Sequence, residues 1–196
     1  MKRSRNTLGP LVGYHGCDRK TAEAVLSGKK LLEPSENDYD WLGPGIYFWV
    51  DSPERGRDWA QQQAARRRGG IKDPYVIGAF IHPGLCLNLT DYGVTAELLE
   101  AYSTLSESLE AAGAPMPRNT VQEGGIYLRR TLDCAVIKTV HKLRKDSGEP
   151  PYQTVYGVFE EGNPLYPNAG FRAKTHVQLA VNDPECVLGY FRVRGI

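Results

Sequence analysis

The feature that most limits the folds open to this chain is that its apolar runs are short, and almost every one is stopped by glycine, proline or asparagine. Residues 11–14, 46–50, 75–81, 85–89, 134–140, 154–159, 175–181 and 186–193 read as strands: β-branched or aromatic stretches bounded by turn formers. Between some of them the spacing changes to that of a helix. Asp18 is placed to cap a helix over 19–27, whose Ala22, Val25 and Leu26 share one face and whose end is Gly28. Ser52-Pro53 opens a second helix running to about residue 68 and closed by Gly69-Gly70, and a third covers 94–112 up to Gly113. Many strands with few intervening helices predict an α+β domain with a mainly antiparallel sheet flanked by helices.

At 196 residues with 41% apolar content, the chain is long enough for one domain over 1–196 with a full core, preceded by a flexible N-terminus over 1–8. Lysine plus arginine number 24 against 23 acidic residues, so no overall field advertises a polyanion or a membrane as partner. The basic opening Lys2-Arg3-Ser4-Arg5 is not followed by an apolar core, and no apolar stretch is long enough to span a bilayer. A cytoplasmic location is therefore expected, with no membrane partner. Cys17, Cys86, Cys134 and Cys186 are far apart in sequence and form no C-x-x-C pair, which predicts buried free thiols. The four histidines have no ligand-like spacing, so no metal is expected, and His82 and His141 read as surface residues.

Two segments carry chemistry. Tyr14-His15-Gly16-Cys17 ends the first predicted strand with an imidazole and a glycine whose main chain a ligand can approach closely. Leu42-Gly43-Pro44-Gly45-Ile46-Tyr47-Phe48-Trp49 then sets a tyrosine on a short strand directly after a tight turn, where its ring can wall a slot for a flat heteroaromatic group. Each alone is as well explained by turn formation and core packing.

In their order and spacing these segments resemble the ADP-ribosyltransferase superfamily, in the branch shared by diphtheria toxin and the poly-ADP-ribose polymerases, whose signature is His, Tyr and Glu on three strands. The resemblance implies a split, mainly antiparallel sheet and NAD as cosubstrate. It also implies that His15 holds a ribose hydroxyl, that Gly16 bonds the carboxamide through its main chain, and that Tyr47 stacks on nicotinamide. The second stacking aromatic of the family falls on Trp59, and the family's serine one turn earlier is Gly56 here.

The third motif departs from the family. Its strand is Thr175-His176-Val177-Gln178-Leu179, which carries no carboxylate, and His176 and Gln178 share one face by the strand period of two. Gln178 is the favoured third catalytic residue, since its amide accepts a hydrogen bond from a ribose hydroxyl but cannot take a proton. His176 is the alternative in the cleft, and Glu160 or Glu161 in the preceding loop could supply the missing carboxylate from the acceptor side. Losing a preorganised charge costs on the order of 10²–10³ in rate, and losing a general base roughly 10²–10⁴. Nicotinamide needs no proton to leave, so transfer to a good nucleophile survives.

The resemblance implies mono-ADP-ribosyl transfer to a macromolecular acceptor, protein or nucleic acid, by a compact enzyme of the bacterial toxin or phage-conflict kind. Such an enzyme would be accompanied by a neutralising antitoxin or immunity protein. Arg66-Arg67-Arg68, Lys138, Lys142, Arg144 and Lys145 leave a phosphate-tracking groove open, and Tyr166 and Phe171 could stack on a base or contact a protein. Three other readings stay open: an inactive module that binds NAD or ADP-ribose, an NAD glycohydrolase, and an interaction protein whose aromatics are only core.

Overall fold

A computed structural model describes residues 8–66, 70–122 and 126–195. The expected N-terminal flexibility of residues 1–7, and the helix end at Arg67, Arg68 and Gly69, lie outside the described residues. Among the described residues, nine strands and four α-helices follow in the order β1 (Leu11–Asp18), α1 (Arg19–Leu26), β2 (Ile46–Val50), α2 (Pro53–Ala65), β3 (Pro74–Ile81), β4 (Cys86–Asn88), α3 (Thr95–Ala111), β5 (Asn119–Gln122), β6 (Ile126–Arg130), α4 (Thr131–Asp146), β7 (Thr154–Phe159), β8 (His176–Val181) and β9 (Val187–Arg192). The fold is α+β. Seven strands form one mixed sheet in the order β4-β7-β8-β2-β1-β3-β9, antiparallel throughout except for the parallel pair β4–β7, and β5–β6 form a separate hairpin.

The sheet has a core on each face. One gathers Phe48, Ile46, Leu179 and Val181 with Ala22 and Val25 of α1. The other joins Ala180, Val155 and Phe159 to Ala101 of α3 and to Ile137 and Val140 of α4, with Tyr47 and Trp41 packed against it. Strand alternation sends neighbouring residues of β2 to opposite cores, which is why Phe48 and Tyr47 belong to different clusters. All four cysteines are free and buried, as their scattering suggests. Among the described residues no helix is long and apolar enough to cross a membrane.

Three expectations are corrected. Residues 134–140 are not a strand but the middle of α4, where Cys134, Ile137 and Val140 are buried at helical spacing. A seven-residue window fits both periods, and the residues on either side of it extend the pattern to the sixteen residues of a helix. β1 runs on through His15, Gly16 and Cys17 to Asp18, so the His-Gly step lies inside a strand, not at its end, held by eight register positions against β3. His141 is half-buried: its Nε2 lies 3.2 Å from Asn182 Nδ2 and its ring meets Tyr152 edge-on. His82 is exposed, as predicted.

Candidate functional site

The strands carrying His15, Tyr47 and Gln178 are consecutive neighbours, β1, β2 and β8. β2 pairs with β8 from Ile46 to Trp49, with Tyr47 opposite Ala180 and Trp49 opposite Gln178. Its ladder with β1 is shorter, covering Gly13↔Val50 and Tyr14↔Trp49. Beyond Tyr14 the two strands part, and the gap is where the histidine sits.

His15 Nδ1 is 2.8 Å from the Tyr47 carbonyl oxygen. A carbonyl can only accept, so Nδ1 carries the proton and Nε2 is left as the acceptor nitrogen of a neutral ring. Burial pushes the imidazole below its ordinary range and outweighs the opposing bond to Tyr47. The main chain of Gly16 faces the same gap. Asp51 N–H donates to the Val12 carbonyl at 3.0 Å; by the alternation of an antiparallel ladder, the groups of Val12, Tyr14 and Gly16 point toward β2. Gly16 lies past the last paired rung.

The other side of Gly16 is closed. A Cβ there would lie 2.4 Å from the Gly56 carbonyl oxygen and 3.2 Å from both Ala60 Cβ and Trp59 Cε3. This glycine therefore lets α2 lie directly on β1. Gly56 itself is under no such constraint, since an added Cβ would make only ordinary contacts, the nearest 3.5 Å from Trp49. Trp59 leans on Trp49 with ring centroids 5.5 Å apart. So His15 and Gly16 flank the fork, Trp59 and Trp49 pack beside Gly16, and of Tyr47 only the main-chain carbonyl reaches it.

Tyr47 is half-buried against the α3–α4 core. Its hydroxyl donates to the Gly43 carbonyl at 2.7 Å and accepts from Leu42 N–H at 2.8 Å, so it clasps the turn that precedes its own strand. Burial raises the phenol well above its usual range.

Gln178 is half-buried, and its carboxamide makes no hydrogen bond to another described residue. His176, two positions along, is only 6% exposed. Its Nδ1 donates to the Lys174 carbonyl at 2.6 Å, its ring stacks on Trp41 at 6.1 Å, and its buried Nε2 has no partner. Burial lowers its pKa, opposed by the Lys174 bond, and Arg55 and Arg130 lower it further.

Glu161 is committed elsewhere. Its carboxylate takes Arg55 Nη2 at 2.6 Å, with the two side chains 17% and 11% exposed. Arg55 also reaches Asp58 at 3.1 Å, and Asp58 takes Lys174 at 2.9 Å, so the loop before β8 is fastened to α2 at both of its ends. Glu160 is exposed. Sequence reasoning missed Arg55 and Trp41, which cap this region together with Arg130, a cation the sequence sets near this loop: Arg130 lies over Trp41 at 4.5 Å and over Phe159 at 4.9 Å. The spacing of Arg55 and Asp58 on one helix face was legible. Glu161 is 106 residues away in sequence, and nothing local marks it.

An open cleft of about 740 Å³ lies at the other end of β2 and β8, lined by Pro44, Gly45, His141, Tyr152, Asn182 and Pro184 among others. None of the predicted site residues lines it.

Neither a family model nor a solved structure matches the chain. A 38-residue stretch is 56% identical to an uncharacterized protein of Methanocaldococcus jannaschii, covering 19% of this chain and 17% of that protein. The chain thus spans under a fifth of that relative's length.

Proposed function

We propose that this protein is an NAD-dependent mono-ADP-ribosyltransferase built on an ADP-ribosyltransferase-like fold. The observation that carries the reading is the fork between β1 and β2: His15 Nδ1 is held on the Tyr47 carbonyl, which leaves Nε2 as an acceptor, and the main chain of Gly16 lies past the last paired rung, with Trp59 packed beside that glycine and against Trp49. A primary carboxamide needs one acceptor and one donor in line, which an extended glycine offers through its C=O and N–H. Trp59 supplies the flat apolar wall, and His15 Nε2 accepts from a ribose hydroxyl.

In transfer, the bond from C1′ of the ribose to the pyridine nitrogen breaks, and nicotinamide leaves neutral with the bonding pair. The acceptor's oxygen or nitrogen then bonds C1′ and releases its proton to solvent. Gln178 orients the ribose through its amide and takes no proton. With Glu161 held by Arg55 and Gln178 unable to take a proton, the reading favours a slow enzyme or one acting on a strong nucleophile.

NAD-dependent thermal stabilisation and nicotinamide release test the assignment. Tyr47→Ala and Gly16→Val should abolish both, and a wild-type protein that neither is stabilised by NAD nor releases nicotinamide would end it. A second reading, a module that binds NAD without cleaving it, is favoured by the same missing carboxylate. Gln178→Glu separates the two. An inert module should gain nicotinamide release on receiving the charge, by about 10²-fold, whereas a wild type that already releases nicotinamide excludes inertness. Release without labelled acceptor would indicate glycohydrolase activity.

A further inference from the structure

The open cleft at the other end of β2 and β8 has a volume of about 740 Å³, within the range of small-molecule sites. No residue of the β1–β2 fork lines it, so its use is independent of the transferase reading. Pro34, Pro44, Pro151 and Pro184 wall it, together with Tyr152. A proline carries no N–H and its φ is fixed, so these walls are apolar and stiff. The polar groups between them are largely used up. Gln153 accepts from Leu85 N–H at 2.9 Å and donates to Asp183 at 2.7 Å, and the Asp183 carboxylate also accepts from Glu185 N–H at 3.1 Å. Ser35 and Gly45 exchange main-chain bonds of 2.8 and 3.0 Å, which hold the loop of Glu36 against the start of β2. Only glycine suits that contact, since Gly45 has φ +147° and a Cβ there would lie 2.9 Å from Asn182 Oδ1.

Three groups lining the cleft are left open. Lys138 and His141 are three residues apart on α4 and share one face of it. Asn182 Nδ2 lies 3.2 Å from His141 Nε2. An amide nitrogen can only donate, so Nε2 accepts and Nδ1 keeps the proton, with no partner among the described residues. Burial, helped by Arg144, holds this imidazole below its ordinary range, so the ring is neutral. Lys138 reaches the Cys134 thiol of its own helix but no carboxylate, and Glu36 makes no ion pair with a described residue. A cation beside an N–H donor matches a carboxylate, and the free carboxylate of Glu36 matches an ammonium. A polyanion would meet Glu36 and Asp183, and a polycation would meet Lys138; a ligand with one charge of each sign meets neither objection.

We propose that this cleft binds a small zwitterion with an apolar body, an amino acid or a short peptide, with its carboxylate on Lys138 and His141 Nδ1–H, its ammonium on Glu36, and its side chain against the proline and tyrosine walls.

Isothermal titration of the full chain with L-leucine, L-phenylalanine and dileucine tests this. At least one should bind at millimolar concentration or below, and the free amino acids against the dipeptide show which length the cleft takes. The amide of that ligand, which lacks the carboxylate, and its N-acetyl derivative, which lacks the ammonium, should each bind about 10-fold more weakly or worse. Lys138→Met and Glu36→Gln, both at exposed positions, should weaken the parent ligand by a similar factor and leave the thermal midpoint at its wild-type value. Glycine, with both charges and no side chain, should bind more weakly than leucine. The proposal is overturned if none of the three ligands binds, if the amide or the N-acetyl derivative binds like its parent, if glycine matches leucine, or if either variant binds like the wild type. Should a variant fail to fold, the ligand analogues decide on the unaltered protein.

Discussion

Two parts of the central sheet hold an imidazole by the same device and use it differently. At the β1–β2 fork, His15 gives its Nδ1 proton to a strand carbonyl and stays only half-buried. At the start of β8, His176 gives its Nδ1 proton to Lys174 and is sealed under Trp41 and Phe159, with Arg55 and Arg130 near enough to depress its charging. The fork is made of small groups in contact, glycine on helix backbone, so its shape is set by packing. The β8 end is made of charges across long sequence separations, so its shape is set by ion pairs. Packing of backbone on backbone does not yield gradually, whereas ion pairs open when one partner is lost. The fork is therefore the end of the sheet whose shape tolerates no added atom, and the β8 end the one whose shape depends on single charged side chains.

The sharpest way to break this contrast is Gly16→Ala. With the new Cβ only 2.4 Å from the Gly56 carbonyl oxygen, α2 must move off β1. Overpacking of this kind costs about 3 kcal/mol. Urea unfolding measures it, and a loss below about 0.5 kcal/mol would mean that the fork is looser than its contacts imply. Next in size is Glu161→Gln, which leaves the Arg55 guanidinium, 11% exposed, with Asp58 as its remaining carboxylate. Removing one partner of a buried pair is expected to cost about 2 kcal/mol here, below the full penalty because the amide still accepts and Asp58 remains. Arg55→Met added to Glu161→Gln should recover most of that loss, and a double-mutant cycle reads the coupling.

The contrast also explains what could be read from the sequence. β2, β7 and the capped start of α1 were legible because turn formers and caps bracket a single periodicity. Asp18 accepts from Lys20 N–H as a cap should. α4 was not legible as a helix, because its apolar middle is short and its helical character lies in the flanking Thr131, Leu132, Leu143 and Arg144. The β5–β6 hairpin was missed since Asn119, Thr120 and Arg129, Arg130 carry no apolar alternation; it is held instead by Asn119 bonding Asp133 and Leu132 at the start of α4. Among the candidate residues, His15, Gly16 and Tyr47 stand in contiguous motifs. Which glycine is tight could not be read there: Gly16 and Gly56 look alike in sequence, and only their facing environments distinguish them.

A smaller effect bears on Tyr47. Its hydroxyl serves the Leu42–Gly45 turn, so Tyr47→Phe should cost about 1 kcal/mol by leaving Gly43 and Leu42 without that partner. The ring that would stack on nicotinamide is kept, and NAD-dependent stabilisation should persist. Loss of NAD response in Tyr47→Phe with little loss of stability would reverse the assignment, making the hydroxyl a ligand contact and the clasp incidental.

The smallest effect, and the one that separates the two imidazoles, is on pH. Both have folded-state pKa values lowered from 6.5, chiefly by burial. Below pH 6.5 the unfolded chain binds protons that the folded protein refuses, so the stability they contribute is complete above that pH and is lost as pH falls through 6.5 toward the folded values. Stability should therefore decline between about pH 6.5 and 5, before the carboxylate pairs begin to titrate. His15→Gln and His176→Gln should each flatten part of that decline. Charging His15 also removes the acceptor lone pair from Nε2, so NAD-dependent stabilisation should weaken over the same range in the wild type and in His176→Gln. If the NAD response follows His176 instead, the sealed end of the sheet is the one that opens to the ligand, and the fork is only a packing feature.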